Sequence, residues 1–504
     1  MTRPLALPRR SAVVGTRPML ERVGVVGLVA SSVALVAAIV GLSVSYTSMA
    51  AIAVVAICAA IFAPRTVFGV SLAWILLIRP GYELVHMNLG GIEISEIDLL
   101  PLVATVAALA IPSAEGTGLR GPRFGSIALI LAYPAWLLLR FVMLPTVSPI
   151  QVSPIVDYRN ISMFSVIIPL FFFIQKLGFD SLFRLLMRVA YLACFIAIGA
   201  WVLLMLGVLK PANTAFVYFH TASDVRPGGE LLVVVLAVTL LVGKAPLIAR
   251  SRALSFAVVA AEFLVSQTLS MVVAVVAGVI FHAVFHRDGR TAKRVMSAVI
   301  VVGVFAGLAV GGVAAGSRFD LGERLGESSA QYRATEFSKL IAVVESSPLT
   351  LVAGAGAGSA IAVPNVYTSA IDVKRDTHNS YGNVTLKGGL VALILFVMPV
   401  FWSMFRLRGS ARTGASALSA ALAAILVLTI TVPFVWTAPG LTALVALLLG
   451  SLSAVRPLEG LRLETGPRVS EPERRSGKRL EPSGGPSKGA HSAGHTSVGL
   501  GRSL

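Results

Sequence analysis

Apolar residues arrive along this chain in long blocks and do not alternate with polar ones. Most blocks run about 17–25 residues, the length at which a helix crosses ~30 Å of hydrocarbon. Lipid offers no partners to backbone N–H and C=O groups, so only helices or closed barrels span it, and the missing alternation excludes a barrel. The pattern predicts an all-α polytopic integral membrane protein with about fourteen transmembrane helices. The expected spans are 23–45, 47–63, 66–78, 97–112, 125–144, 160–175, 189–208, 228–243, 254–267, 268–285, 296–315, 384–405, 415–433 and 436–453. The faintest divisions fall within 47–78 and 254–285, where Ser266, Gln267, Thr268 and Ser270 supply the only polar break of the second stretch.

One connection departs from the short ones around it. Residues 316–383 form a large loop that carries helical patterning of its own. Ser328-x-x-Gln331 resembles a capping box. It opens a stretch from Tyr332 to Val344 with Phe337, Leu340, Ile341 and Val344 at helical spacing. Arg333, Glu336 and Lys339 are its charged positions, and Pro348 follows as a stop. This reads as an amphipathic helix, suited to a membrane surface or to packing within the loop. The chain thus divides into a basic N-terminus (1–22), helices one to eleven (23–315), the loop (316–383), helices twelve to fourteen (384–454) and a polar tail (455–504). The tail has no apolar periodicity, so disorder is expected there.

Composition agrees. Of 504 residues 56% are hydrophobic and only 13% charged, too few charges to cover a soluble protein of this length. The net charge of +18 would suggest nucleic acid in a soluble chain. Here it records orientation, and no nucleic-acid partner is expected. With both termini in the cytoplasm, the inner loops hold Arg120, Arg123, Lys176, Arg184, Arg188, Lys244, Arg250, Arg252, Arg287, Arg290, Lys293, Arg294, Arg406, Arg408 and Arg412. The short outer loops hold Arg79, Arg159, Lys210 and Arg226. That asymmetry predicts a multi-pass protein of a bacterial cytoplasmic membrane, in contact with anionic lipid, whose large loop is extracytoplasmic.

Metal chemistry finds little support. Cys58 and Cys194 lie within apolar blocks. His282 and His286 have the spacing of paired ligands, but no Glu completes a zinc motif. The glycine run Gly354-Ala-Gly-Ala-Gly358-Ser359 allows close approach of backbone to a ligand, yet no Gly-Lys-Ser/Thr follows to make a P-loop.

The order Arg333, Pro348, the glycine turn, His378-Asn379, then Gly388-Gly389 at a hydrophobic helix resembles the O-antigen ligase and O-antigen polymerase superfamily. The likeness is specific over about 330–400 and architectural elsewhere. Three places differ from that pattern. Gln267-Thr268-Leu269-Ser270 carries no Arg, Gly382 stands in place of a Leu, and Lys387 stands in place of an acid.

The resemblance implies a metal-independent membrane glycosyltransferase without a cofactor. It would move a glycan from a polyprenyl-diphosphate donor to the hydroxyl of a glycan or lipid-linked acceptor at the outer face, in cell-surface polysaccharide synthesis. Such chemistry needs a base beside the attacking hydroxyl and positive charge over the departing diphosphate. His378 is the candidate base, since an imidazole titrates near neutral pH. Arg333 is the leading phosphate ligand, its planar fork matching phosphate oxygens. Arg226, Arg159 and Asn379 are further substrate-binding candidates. Arg140 and Glu262 are intramembrane charges, expected either to pair or to line a polar cavity. The alternative function is a lipid-linked oligosaccharide flippase or other polysaccharide transporter, which should show two related halves and short loops. A noncatalytic envelope-assembly protein is a third reading.

Overall fold

Fourteen α-helices lie wholly within the residues that the computed structural model describes, namely 55–78, 86–89, 92–112, 124–210, 216–218, 225–242, 245–266, 268–285, 327–364, 370–408, 413–432 and 437–454. In chain order they are α1 (Pro64–Leu77), α2 (Glu96–Ala110), α3 (Phe124–Met143), α4 (Ile155–Ser162), α5 (Ile167–Leu177), α6 (Phe179–Met205) and α7 (Glu230–Leu241). Then follow α8 (Arg252–Ser266), α9 (Leu269–Phe285), α10 (Glu327–Val344), α11 (Pro348–Ala353), α12 (Ser380–Arg408), α13 (Thr413–Leu428) and α14 (Ala438–Ala454).

Among the described residues, four stretches are long and apolar enough to cross a membrane: 125–143, 155–177, 179–205 and 380–407. The expected span 160–175 is built from α4 and α5, joined by a 3-10 turn over Met163–Val166. The faint break at 267–268 is real, since α8 ends at Ser266 and α9 starts at Leu269. The expected spans 23–45 and 296–315, the N-terminus 1–22 and the tail 455–504 lie outside the described residues.

One large apolar core unites the helices. Leu231 to Leu241 of α7 are buried all round, as are most apolar positions of α13 and α14. Small residues set the spacing where α9 meets α13: a Cβ on Gly278 would stand 2.7 Å from the Ala420 carbonyl.

Residues 327–383 fold against this bundle with a small core of their own. Strand β6 (Ser359–Pro364) is the centre of a three-stranded antiparallel sheet. It pairs with β3 (Ile150–Gln151) on one side and β7 (Ile371–Lys374) on the other. Leu340 and Val344 of α10 close over Ala355, Ile361, Val363 and Leu386. The remaining strands, β1 (His86–Leu89) with β2 (Ile92–Ser95) and β4 (Val217–Tyr218) with β5 (Arg226–Pro227), form two hairpins.

Two local readings need correction. Ser328 lies inside α10, which already includes Glu327, so Ser328-x-x-Gln331 is not its cap. Pro348 does more than stop a helix, because it opens α11, where a missing N–H costs nothing. Ser347 caps that helix: its Oγ accepts from the Thr350 amide at 3.1 Å, and the Thr350 hydroxyl accepts from the Ser347 amide at 3.0 Å.

Candidate functional site

The glycine turn sits at the centre of a buried polar clasp. Gly354 follows α11 with φ +79°, and a Cβ there would meet the Gly388 amide nitrogen at 2.5 Å. Gly389 breaks the helical geometry inside α12 with φ +72°, and its own Cβ would fall 2.1 Å from the Val352 carbonyl. Only glycine fits either place. The kink frees backbone groups that neighbours then satisfy. The Trp136 indole of α3 donates to the Gly388 carbonyl at 2.8 Å, and the Ala355 amide donates to the Leu386 carbonyl at 2.7 Å.

Arg140 completes this clasp. Its Nε donates to the Ala353 carbonyl at 2.9 Å, its Nη2 to the Gly354 carbonyl at 2.8 Å and its Nη1 to the Leu144 carbonyl at 2.9 Å. The guanidinium is 1% exposed and holds the C-terminal end of α3 to the end of α11. Arg140 and Glu262 therefore do not pair. The sequence-level expectation fails because the backbone carbonyls of a distant turn take the guanidinium first. The turn likewise approaches protein where a ligand was expected, with Arg140, Thr146 and Val152 filling its surroundings.

A second buried pair closes the same region. Lys387 Nζ lies 2.9 Å from Asp157 Oδ2 and donates to the Ser359 carbonyl at 2.7 Å. The Gly358 amide donates to the same Asp157 oxygen at 2.7 Å. Both side chains are fully buried. The lysine at 387, where the resemblance implies an acid, thus has a carboxylate waiting for it on α4. The departure at Gly382 also has a steric reason, because a Cβ there would meet Leu340 Cδ1 at 2.8 Å. Glycine there lets α10 settle onto the start of α12.

That start presents His378. Asn379 caps α12, its Oδ1 accepting the Gly382 amide at 3.1 Å. Asn383 fixes the preceding turn, with Oδ1 accepting the Thr377 amide at 2.6 Å and Nδ2 donating to the Thr377 carbonyl at 2.9 Å. His378 Nδ1 then meets Glu336 Oε2 of α10 at 3.0 Å, and the His378 amide donates to the same oxygen at 3.2 Å. The imidazole is 43% exposed while the Glu336 side chain is 3% exposed. One end of the ring is tethered and the other is open.

Around this pair lie further ionisable groups. The Tyr332 ring stands edge-on to the imidazole with centroids 6.3 Å apart, and its hydroxyl approaches Asp372 Oδ2 at 3.4 Å. Burial, helped by Asp372 and Glu336, pushes the Tyr332 phenol up to about 12. Lys374 Nζ lies 5.9 Å from the centre of the Tyr332 ring and 3.9 Å from Asp372. Arg375 pairs with Asp376 at 3.4 Å. Burial raises the Asp376 carboxyl above the usual aspartate value, against the pull of Arg375 and Lys387. Arg333 is exposed on α10, three residues before Glu336.

The other arginines sit elsewhere. Arg159 pairs with Asp98 at 2.9 Å and contacts the Ser95 hydroxyl, tying α4 to the capped start of α2. Arg226 lies on β5 beside the end of α8, where the Val225 amide donates to the Val265 carbonyl at 3.2 Å. It is the cation in electrostatic reach of Glu262, with Glu230 nearby. Both Glu262 oxygens are buried and make no hydrogen bond. The structure therefore puts Arg226 in electrostatic reach of Glu262, and His378 beside the cap residue Asn379, with no contact between these two groups among the described residues.

Glu336 was missed as a site residue, although a signal was present. It occupies the same stripe as Leu340 and Val344, four and eight residues on, all at most 2% exposed. An acid on the apolar stripe of an amphipathic helix has a partner or a task. Among the described residues, no cluster of His, Cys, Asp and Glu is suited to hold a metal.

No curated protein matches the chain. The family model described as O-antigen ligase matches residues 253–397, which takes in α8 to α11, the strands β6 and β7 and the start of α12, with Glu262, Arg333, Glu336, His378 and Asn379. This is a membrane protein of cell-surface polysaccharide biosynthesis that carries, over those residues, a domain of the O-antigen ligase family.

Proposed function

We propose that this protein transfers or polymerises a polyprenyl-diphosphate-linked glycan onto an acceptor hydroxyl at the outer face of the cytoplasmic membrane. The observation that carries the reading is the half-open imidazole of His378 at the mouth of α12, anchored through Nδ1 and free at Nε2. In the step proposed, the acceptor oxygen attacks the anomeric carbon of the donor sugar. The bond from that carbon to the diphosphate oxygen breaks, and polyprenyl diphosphate departs with the electron pair. The acceptor proton passes to His378 Nε2, in hydrogen-bond reach of a hydroxyl that enters from the open side.

Positive charge over the diphosphate substitutes for a metal in this scheme. Arg333 is the guanidinium proposed for that role, since it is exposed on the helix that holds Glu336. Arg226 is the second, half-buried where α8 ends. Arg140 and Arg159 leave the proposal, because both are occupied in holding helices together. Asn379 acts through the helix start it caps.

Turnover of a polyprenyl-diphosphate oligosaccharide by the reconstituted protein tests the reading. His378→Ala should lower the rate by about 10²–10⁴-fold, the range of a lost general base. Arg333→Ala should also lower it, and both variants should insert normally. Unchanged turnover in both would overturn the assignment. Labelling of residue 378 with a membrane-impermeant reagent from outside the cell tests its proposed side.

A further inference from the structure

Glu336 does more than fill the space beneath His378. A carboxylate can only accept hydrogen bonds, so its contact at 3.0 Å requires Nδ1 of the ring to carry the proton. The lone pair then lies at Nε2, on the exposed side. The same carboxylate oxygen accepts the His378 amide at 3.2 Å, which fixes the backbone that carries the ring as well as the ring itself. Its other oxygen, Oε1, is buried and makes no hydrogen bond. Among the described residues nothing else shares the charge of that carboxylate at hydrogen-bond distance, and it meets the imidazole from a buried position on the stripe of Leu340.

We propose that Glu336 is a positioning residue for the transfer reaction. It selects the Nδ1–H tautomer of His378 and stabilises the imidazolium that forms when the acceptor proton arrives. The inference rests on the proposed role of His378 as base. The other ionisable groups around the ring have different partners. Tyr332 of α10 turns its edge to the ring and its hydroxyl to Asp372, while Lys374 is paired with Asp372 and Arg375 with Asp376. From α12, Lys387 is engaged by Asp157, and Tyr381 donates to the Leu426 carbonyl. Arg333 is exposed on α10. Glu336 alone among these groups touches an imidazole nitrogen.

The test compares the native protein with Glu336→Gln, Glu336→Asp and His378→Ala, reconstituted in vesicles with a polyprenyl-diphosphate oligosaccharide, across pH. Glu336→Gln should lower kcat by about 10²-fold, with KM little changed. It should also move the acid limb of the profile toward lower pH, because the imidazolium has lost its counter-charge. Glu336→Asp should recover part of kcat and return the limb toward its native position. Nitrogen NMR of histidine-labelled native protein should show the neutral His378 ring protonated at Nδ1. This readout stands even where a variant fails to fold.

A native ring protonated at Nε2 would overturn the inference, as would a Glu336→Gln profile with its acid limb unmoved. Full turnover in His378→Ala is a different outcome: it removes the base itself, and with it the role of its partner.

Discussion

Two polar clusters lie along the first part of α12, one at its start and one at its kink, and they differ in what they leave undone. The clasp around the glycine turn is closed. Arg140 donates to four carbonyls, Lys387 meets Asp157 and the Ser359 carbonyl, and Trp136 covers the carbonyl freed at the kink. The pair at the start of α12 is open, with one imidazole nitrogen held and the other free. Charge in a membrane protein is often a sign of function. Here the distinction is finer, because a charge whose hydrogen bonds are met by protein builds the scaffold, and one with a free valence toward solvent is available for chemistry.

The sharpest way to break this contrast is to open the closed cluster. Lys387→Ala should cost about 3–5 kcal/mol of stability, since Asp157 would be left as a buried, unpaired charge. Thermal unfolding in detergent reads the loss. The double variant Lys387→Met with Asp157→Asn should recover most of that stability, because both charges go together. A single variant as stable as the native protein would show that water reaches the pair.

A smaller effect is expected at Arg140. Arg140→Met should cost about 1–3 kcal/mol by leaving the carbonyls of α11 without donors. Adding Glu262→Met should contribute only its own single-variant effect, with no coupling to Arg140→Met, since the two residues do not touch and distant sites add. Coupling between them in the unfolding cycle would restore the pairing that the structure denies.

The smallest effect concerns Asp376. Burial raises its carboxyl in the folded state, so the folded chain binds this proton more tightly than the unfolded chain does. The stability tied to the bound proton is fully present below the ordinary value of 3.8 and is lost as pH rises through the higher folded value. Asp376→Asn should therefore be slightly more stable than the native protein near pH 7, with the advantage shrinking as pH falls toward 4. Stability curves at both pH values check the sign.

Among the described residues, helix positions were legible in the sequence because span length and hydropathy are local properties. That His378-Asn379 opens an apolar helix was legible for a similar reason, since an Asn cap before an apolar run is a local pattern. The clasp was not. Lys387 finds Asp157 across 230 residues, and Arg140 finds Gly354 across 214, separations over which no spacing rule operates. Arg140 and Glu262, read from the sequence as intramembrane, invited pairing by expected depth alone, and depth says nothing about which faces of two helices meet. Glu336 falls between these cases. Its place on the apolar stripe was visible, but its partner lies 42 residues on, beyond two strands.

The clasp also bears on where this molecule could be cut. The stretch that matches the family, 253–397, contains the turn, the kink and Lys387. Arg140, Trp136 and Asp157, which complete all three, come from α3 and α4. Excised alone, that stretch would carry a bare ammonium into its own interior and leave the carbonyls of Ala353, Gly354 and Gly388 without those donors. The boundary of likeness is thus no boundary of folding, and the first half of the chain is the wall against which the second half is built.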